Sequence, residues 1–187
     1  MPLNFIENTL QRGADLTMAS TDNELLYLVD EHDQVLGSCL RGDAHRQGLR
    51  HRAVHVLVFN AAGEVFLQKR SAHKDVNPCL WDTSSAGHVD FGESYDASAM
   101  RELSEELGIR GECGLEYLFK IQASALTGWE FVQVYQCRFD GELTLNPDEI
   151  VEGRWLAPGV LDTLISRSPD DFTRSLRTLW HTFRKTI

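Results

Sequence analysis

Apolar positions along this chain fall first into short blocks and only later into helical spacing. LLYLVD (25–30) and VLGSCL (35–40) flank EHDQ, a pattern that predicts a small hairpin. AVHVLVF (53–59) is apolar and β-branched, NAAG (60–63) is a turn signal, and EVFLQKR (64–70) predicts the next strand. Residues 41–51 read as a polar connection, and residues 71–86, with Pro78 and many small polar side chains, as loop with a short strand. From Ser94 the period changes. Ala97, Met100, Leu103 and Leu107 recur at three- and four-residue steps and predict a helix, which Gly108 is placed to end in the left-handed conformation. Residues 115–125 and 130–139 predict long strands joined by LTGW, and 153–157 a short strand. Two closing helices are predicted over 159–166 and 170–184. Ser168 is set to cap the second, with Pro169 at its first position and Asp170 and Asp171 complementing its dipole. Residues 1–23 are weakly patterned, a short helix or a loose arm. Residues 24–187 read as one domain of the α/β (α+β) class, a mixed sheet with helices packed on it.

Composition narrows the partners. The 187 residues suit one hydrophobic core. The formal net charge of -10 argues against a polymeric nucleic-acid partner, which calls for a basic face. An acidic protein still binds phosphates when metal ions stand between the two sets of negative charge. Cys39, Cys79, Cys113 and Cys137 form no C-x-x-C pair, so zinc-site and redox spacings are missing, and scattered thiols fit a cytoplasmic location. No signal-peptide pattern and no run of 18 apolar residues occurs, so no membrane partner is expected.

The candidate chemistry lies in GHVDFGESYDASAMRELSEELGI (87–109). Glu102, Glu105 and Glu106 stand at i, i+3 and i+4, so a helix gathers them on one face, opposite the apolar stripe. Like charges at that spacing repel unless a cation sits among them, and hard divalent ions such as magnesium prefer carboxylate oxygen. Glu93 precedes the helix and Arg101 lies within it, where a forked hydrogen bond to Glu93 or a neighbouring glutamate would hold the acids in place. A solvated surface presents the same face, so spacing alone leaves both readings open.

Residues 87–109 resemble the Nudix signature. Gly87, Glu93, Arg101, Glu102, Leu103, Glu105, Glu106, Gly108 and Ile109 fill every defined position of that box. The resemblance implies a Nudix-like α/β/α sandwich over roughly 24–160, and a hydrolase that cleaves the diphosphate linkage of a small phosphorylated substrate, a nucleoside diphosphate derivative or similar. It implies Mg2+ or Mn2+ on Glu102, Glu105 and Glu106, with the Gly87 carbonyl added and Glu93 and Arg101 in support. The general base varies within the family. Glu106 is one candidate, and Glu149 and Glu152, in a loop that often returns to the site, are others. Many relatives pair, so a homodimer is a weak expectation.

The stretch from His51 to Ser94 also resembles the branch that contains isopentenyl diphosphate isomerase, through His51-Arg52, Gln68-Lys69-Arg70-Ser71, Pro78, Trp81 and Gly87-His88. That enzyme carries a catalytic cysteine where this chain has Ala86, and a second glutamate near Val132, whereas Glu130 matches one of its acids. Lacking the thiol and one carboxylate, the chain is expected to hydrolyse rather than isomerise. His45, His51 and His88 resemble positions of the isomerase's metal site, while His55 reads as a satisfied interior or surface residue. Arg70 and Lys69 are expected to meet phosphate, with Glu149 near the substrate. Trp81, Phe91, Trp129 and Phe131 could stack on a base, and Trp155 belongs to the core. A non-catalytic nucleotide-binding module is the reading from another class, and the complete box argues against it.

Overall fold

In the computed structural model, residues 21–111 and 113–186 are described; the expected arm over 1–23 lies almost wholly outside them. A hairpin of β1 (Leu25–Val29) and β2 (Val35–Leu40) comes first. Its turn is held by Asp30, whose Oδ1 accepts from the backbone N–H of His32 and of Gln34. The polar connection expected next is instead a short helix, α1 (Arg41–Gln47), closed by Gly48 at a φ of 63°. Only Arg41, Gly42 and Ala44 are buried there, so no apolar period marked it.

The main sheet is built on β3 (His51–Phe59), which runs parallel to β8 (Glu130–Arg138) over its whole length. β7 (Glu116–Ile121) is antiparallel to β8, and β6 (Ser85–His88) is antiparallel to β3 from Ala53 to Val56. β4 (Val65–Arg70) touches β3 only at Phe59–Val65 and then diverges to pair with β5 (Trp81–Asp82) and β9 (Ile150–Leu156). β6 takes the place beside β3 that β4 leaves.

Period-two alternation assigns the faces of β3. Val54, Val56 and Val58 pack with Leu103 and Leu107 of α2 (Tyr95–Leu107). Leu57 turns the other way and joins a cluster with Leu161 of α3 (Pro158–Arg167) and Leu176, Trp180 and Phe183 of α4 (Arg174–Thr186). Helix, sheet and helices thus form three layers, the expected α/β/α arrangement with a mixed sheet. The four α4 side chains Leu176, Leu179, Trp180 and Phe183 are buried, each contributing about 1.5–3 kcal/mol.

Several boundaries differ from the sequence pattern. The strand expected to reach residue 125 ends at Ile121, because Ser124 caps a 3-10 turn at Ala125–Thr127. β9 begins three residues earlier than expected, at Ile150, where pairing with Arg70 draws polar sequence into the sheet. Pro169–Asp171 is a separate 3-10 turn, and Ser168 makes no capping bond. α4 starts after Thr173, whose Oγ1 accepts from Leu176 N at 3.0 Å. On α2, Ser94 caps and Gly108 closes as expected, but Ala97 is exposed and the buried line runs through Ser98, Ala99, Leu103, Glu106 and Leu107. Glu106 is therefore not opposite the apolar face; it borders it.

Candidate active site

The first turn of α2 is fixed by Ser94 Oγ, which accepts from Ala97 N at 3.2 Å. Two turns on, Glu102 and Glu106 point toward the Ser85–His88 strand. Glu106 is only 3% exposed, and its Oε2 accepts from Gln68 Nε2 and from Ala86 N, both at 3.1 Å. Burial pushes its carboxyl up, against the hydrogen bonds from Ala86 and Gln68 and the nearby Lys74 charge. Burial also raises Glu102, and the neighbouring Glu106 raises it further, while Arg101 opposes both. Glu105 is exposed at the rim. A Cβ at Gly87 would overlap the Glu102 carboxylate, so only glycine allows the strand and the acid to approach so closely.

Arg101 organises this cluster. Its Nη1 donates to Glu102 Oε1 at 2.7 Å and to Glu105 Oε2 at 3.2 Å, and its Nε donates to Glu93 at 3.2 Å. Glu93 also accepts from Ser98 Oγ at 2.5 Å. Glu93 thus stands behind Arg101, outside the cleft lining.

A cleft of about 710 Å³ spreads in front of the acids, lined by Arg41, Arg70, Lys74, Glu102, Glu106 and Glu149 among others. Arg70 is held by Val76 O at 3.1 Å and by Asp82 Oδ2 at 3.4 Å. Lys74 pairs with Glu149 and stands in the field of Glu106 and Glu102; burial lowers its pKa. Arg41, 8% exposed, pairs with Asp75 at 2.9 Å. Lys74 and Arg41 were not singled out from the sequence. Their signal would have been a cation four residues after Arg70, and a cation four before His45.

Other expected contacts lie elsewhere. Lys69 does not line the cleft; its ammonium lies 5.8 Å from the centre of the Trp81 ring. Glu152 bonds Arg154 on β9 and is not in the cleft. Among the described residues no Phe, Tyr or Trp lines the cleft. Phe91 packs on Tyr27, Trp129 lies under Arg50, and Phe131 is buried. Trp155 packs against the core, edge-on to Phe66.

At one end of the cleft, four side chains converge from four elements. His45 comes from α1, His51 from β3, His88 from β6 and Glu130 from β8, and one ligand atom from each lies within 4.8 Å of the others. The parallel register sets His51 beside Glu130, and the antiparallel one sets His88 beside Ala53. His51 Nδ1 faces Leu49 O at 2.8 Å and donates to it, which leaves Nε2 unprotonated. That Nε2 is buried and has no hydrogen-bond partner, and it stands 3.7 Å from Glu130 Oε1. Burial, His88 and Arg41 lower the His45 pKa to about 4. Burial would raise Glu130, but the His51 and His88 contacts outweigh it and hold the carboxyl well below the usual range. An orphaned imidazole nitrogen among three histidines and a carboxylate is a donor set suited to a divalent transition metal.

A mixed sheet between helices, with a glycine pressed on a helix that carries clustered glutamates, is the frame in which the comparisons with known proteins fall. Residues 49–176 match the NUDIX domain model, and the chain belongs to the Nudix family. It is 42% identical over 139 residues to an uncharacterized Nudix hydrolase of Streptomyces coelicolor, covering 73% of this chain and 75% of that one. It is 37% identical over 156 residues to isopentenyl-diphosphate Delta-isomerase 2 of Photorhabdus laumondii, covering 81% and 87%. The crystal structure of DR0079 from Deinococcus radiodurans superposes with a TM-score of 0.68 at 31% identity, covering 82% of this chain and 99% of that one. Among the described residues no helix is long and apolar enough to cross a membrane.

Proposed function

We propose that the chain is a divalent-metal-dependent hydrolase of the diphosphate linkage in a small phosphorylated substrate. The buried pair Glu102 and Glu106 beside Gly87 carries this reading. Two carboxyls raised by burial, one of them further by the other, form a site that gains from a cation. Glu102, Glu105 and Glu106 would hold Mg2+ or Mn2+, with the Gly87 carbonyl beside them. A divalent cation held by these residues would supply Lewis-acid chemistry toward phosphoryl oxygen and the attacking water.

The chain's own residues do the rest. Arg70, Lys74 and Arg41 draw the phosphates into the cleft and spread their charge. Arg101 and Glu93 keep the α2 acids in one geometry. Glu106 accepts the water's proton, and Glu149, withdrawn from Lys74, is the alternative base. Phosphate release from a panel of nucleoside diphosphate derivatives, with Mg2+ or Mn2+, tests this. Glu106→Gln and Glu102→Gln should each abolish turnover; unchanged rates in both would refute it.

The histidine cluster favours a second reading, because the Photorhabdus relative that shares 37% identity is named an isomerase. We place isomerisation second, since Ala86 offers no transferable proton where a thiol would be needed. Conversion of isopentenyl diphosphate to its allylic isomer would reverse that order. The cluster would then hold a separate transition metal in either case.

A further inference from the structure

Three sulfur-bearing side chains meet outside the cleft. Met100 comes from α2, Cys113 from the loop that follows it, and Cys137 from β8. Cys113 Sγ donates to Met100 Sδ at 3.9 Å. The thiols of Cys113 and Cys137 are in hydrogen-bond contact. All three pack on one core cluster, Cys137 buried within it and the other two half-buried against it. The fold brings them together: the β7–β8 register sets Glu116 against Gln136, so the segment before β7 runs back past Cys137. Gly111 and Gly114, at φ of 90° and 62°, turn the chain on either side of Cys113. Both thiols also line a cavity of about 430 Å³, shared with Asn60, Gln136 and Arg138, which gives an ion access to them.

Thiolate and thioether donors select soft ions such as Cu(I), whereas a structural zinc takes four thiolate or imidazole donors. Among the described residues no third His, Cys, Asp or Glu joins the two thiols. The set is therefore two thiols and a thioether, too few donors for zinc and too soft for magnesium. Metal–sulfur bonds of about 2.3 Å place sulfurs about 3.8–4.0 Å apart around a tetrahedral or trigonal ion. The Met100–Cys113 separation of 3.9 Å already has that size. We infer that Met100, Cys113 and Cys137 form a three-sulfur binding site for Cu(I). Burial and the Cys113 contact raise the Cys137 pKa, so binding must displace its proton. Both thiols become thiolates, both protons leave to solvent, and the copper keeps its oxidation state. The bound site carries a single negative charge, and the exposed Arg138 in the same cavity offsets it. The ion joins α2 to β8 and stabilises the folded chain by mass action. The inference does not depend on the diphosphate reading.

The test uses full-length protein in which Cys39→Ser and Cys79→Ser remove the other thiols and His51→Ala silences the histidine cluster. Reduced and metal-free, it is titrated anaerobically with Cu(I) in competition with bicinchoninate. It should withdraw about one Cu(I) per chain, with thiolate-to-copper absorption in the ultraviolet. X-ray absorption should show sulfur neighbours at about 2.3 Å. Adding Cys113→Ser should abolish the withdrawal. Adding Met100→Leu, close in volume, should keep the fold and weaken binding by about tenfold or more. Cu(I) should raise Tm in the parent and not in the Cys113→Ser protein. No withdrawal by the parent, nitrogen or oxygen neighbours at the copper, or undiminished binding in either variant would overturn the site and leave three sulfurs that only pack.

Discussion

Arg101 Nη2 donates to the carbonyl of His88 at 3.0 Å. The guanidinium that gathers Glu93, Glu102 and Glu105 therefore also grips the strand that carries a histidine of the second cluster. Arg101→Lys keeps the charge but loses the fork. Turnover should fall by about a hundredfold, at about 1.5–3 kcal/mol for each charged hydrogen bond lost. Steady-state kinetics on the best panel substrate, beside a denaturation curve, would separate catalytic loss from unfolding.

Gly87→Ala places a methyl where the Glu102 carboxylate lies. The acid or the strand must shift. Mn2+ affinity at the α2 acids should weaken by about tenfold or more, read by calorimetry in a background of His51→Ala to silence the other cluster. Unaltered affinity would show that the glutamate does not need the close approach.

The acid pair also predicts a pH slope for stability. Folding raises Glu102 from 4.5 to about 8. The folded chain then binds more protons than the unfolded one across that window, so stability falls as pH rises from 4.5 to about 8. Melting of metal-free protein should show this decline, and Glu102→Gln should flatten it. Added Mg2+ should raise Tm more at the alkaline end than at the acidic end.

The His45–His51–His88–Glu130 cluster should retain Mn2+ or Zn2+ after desalting, counted by elemental analysis. His51→Ala should lower that stoichiometry by about one ion per chain. Glu106→Gln should leave it unchanged.

On the far face, Trp180 is 3% exposed and its Nε1 donates to Asp162 Oδ1 at 2.7 Å, tying α4 to α3. Trp180→Ala should cost about 3–5 kcal/mol in chemical denaturation. Arg174 and Ser175, at the start of α4, line the cleft, so loss of this anchor should raise KM as well.

The sequence by itself determined the local features. The period of α2, its Ser94 cap and its Gly108 stop follow from contacts within a few residues, and so does the spacing that sets Glu102, Glu105 and Glu106 on adjacent turns. The resemblance to the Nudix box was legible for the same reason: it runs without a break from the end of one short strand through one loop and one helix. Only the tertiary structure decided which acids are buried. Glu106 sinks against Gln68 and Ala86 because β4 and β6 close over that side of α2, while Glu105, one residue earlier, stays in solvent. The gathering of His45, His51, His88 and Glu130 likewise depends on a parallel β3–β8 register between segments some eighty residues apart. Pairing over such distances is set by the packing of the whole sheet, and no short-range pattern of side chains encodes it.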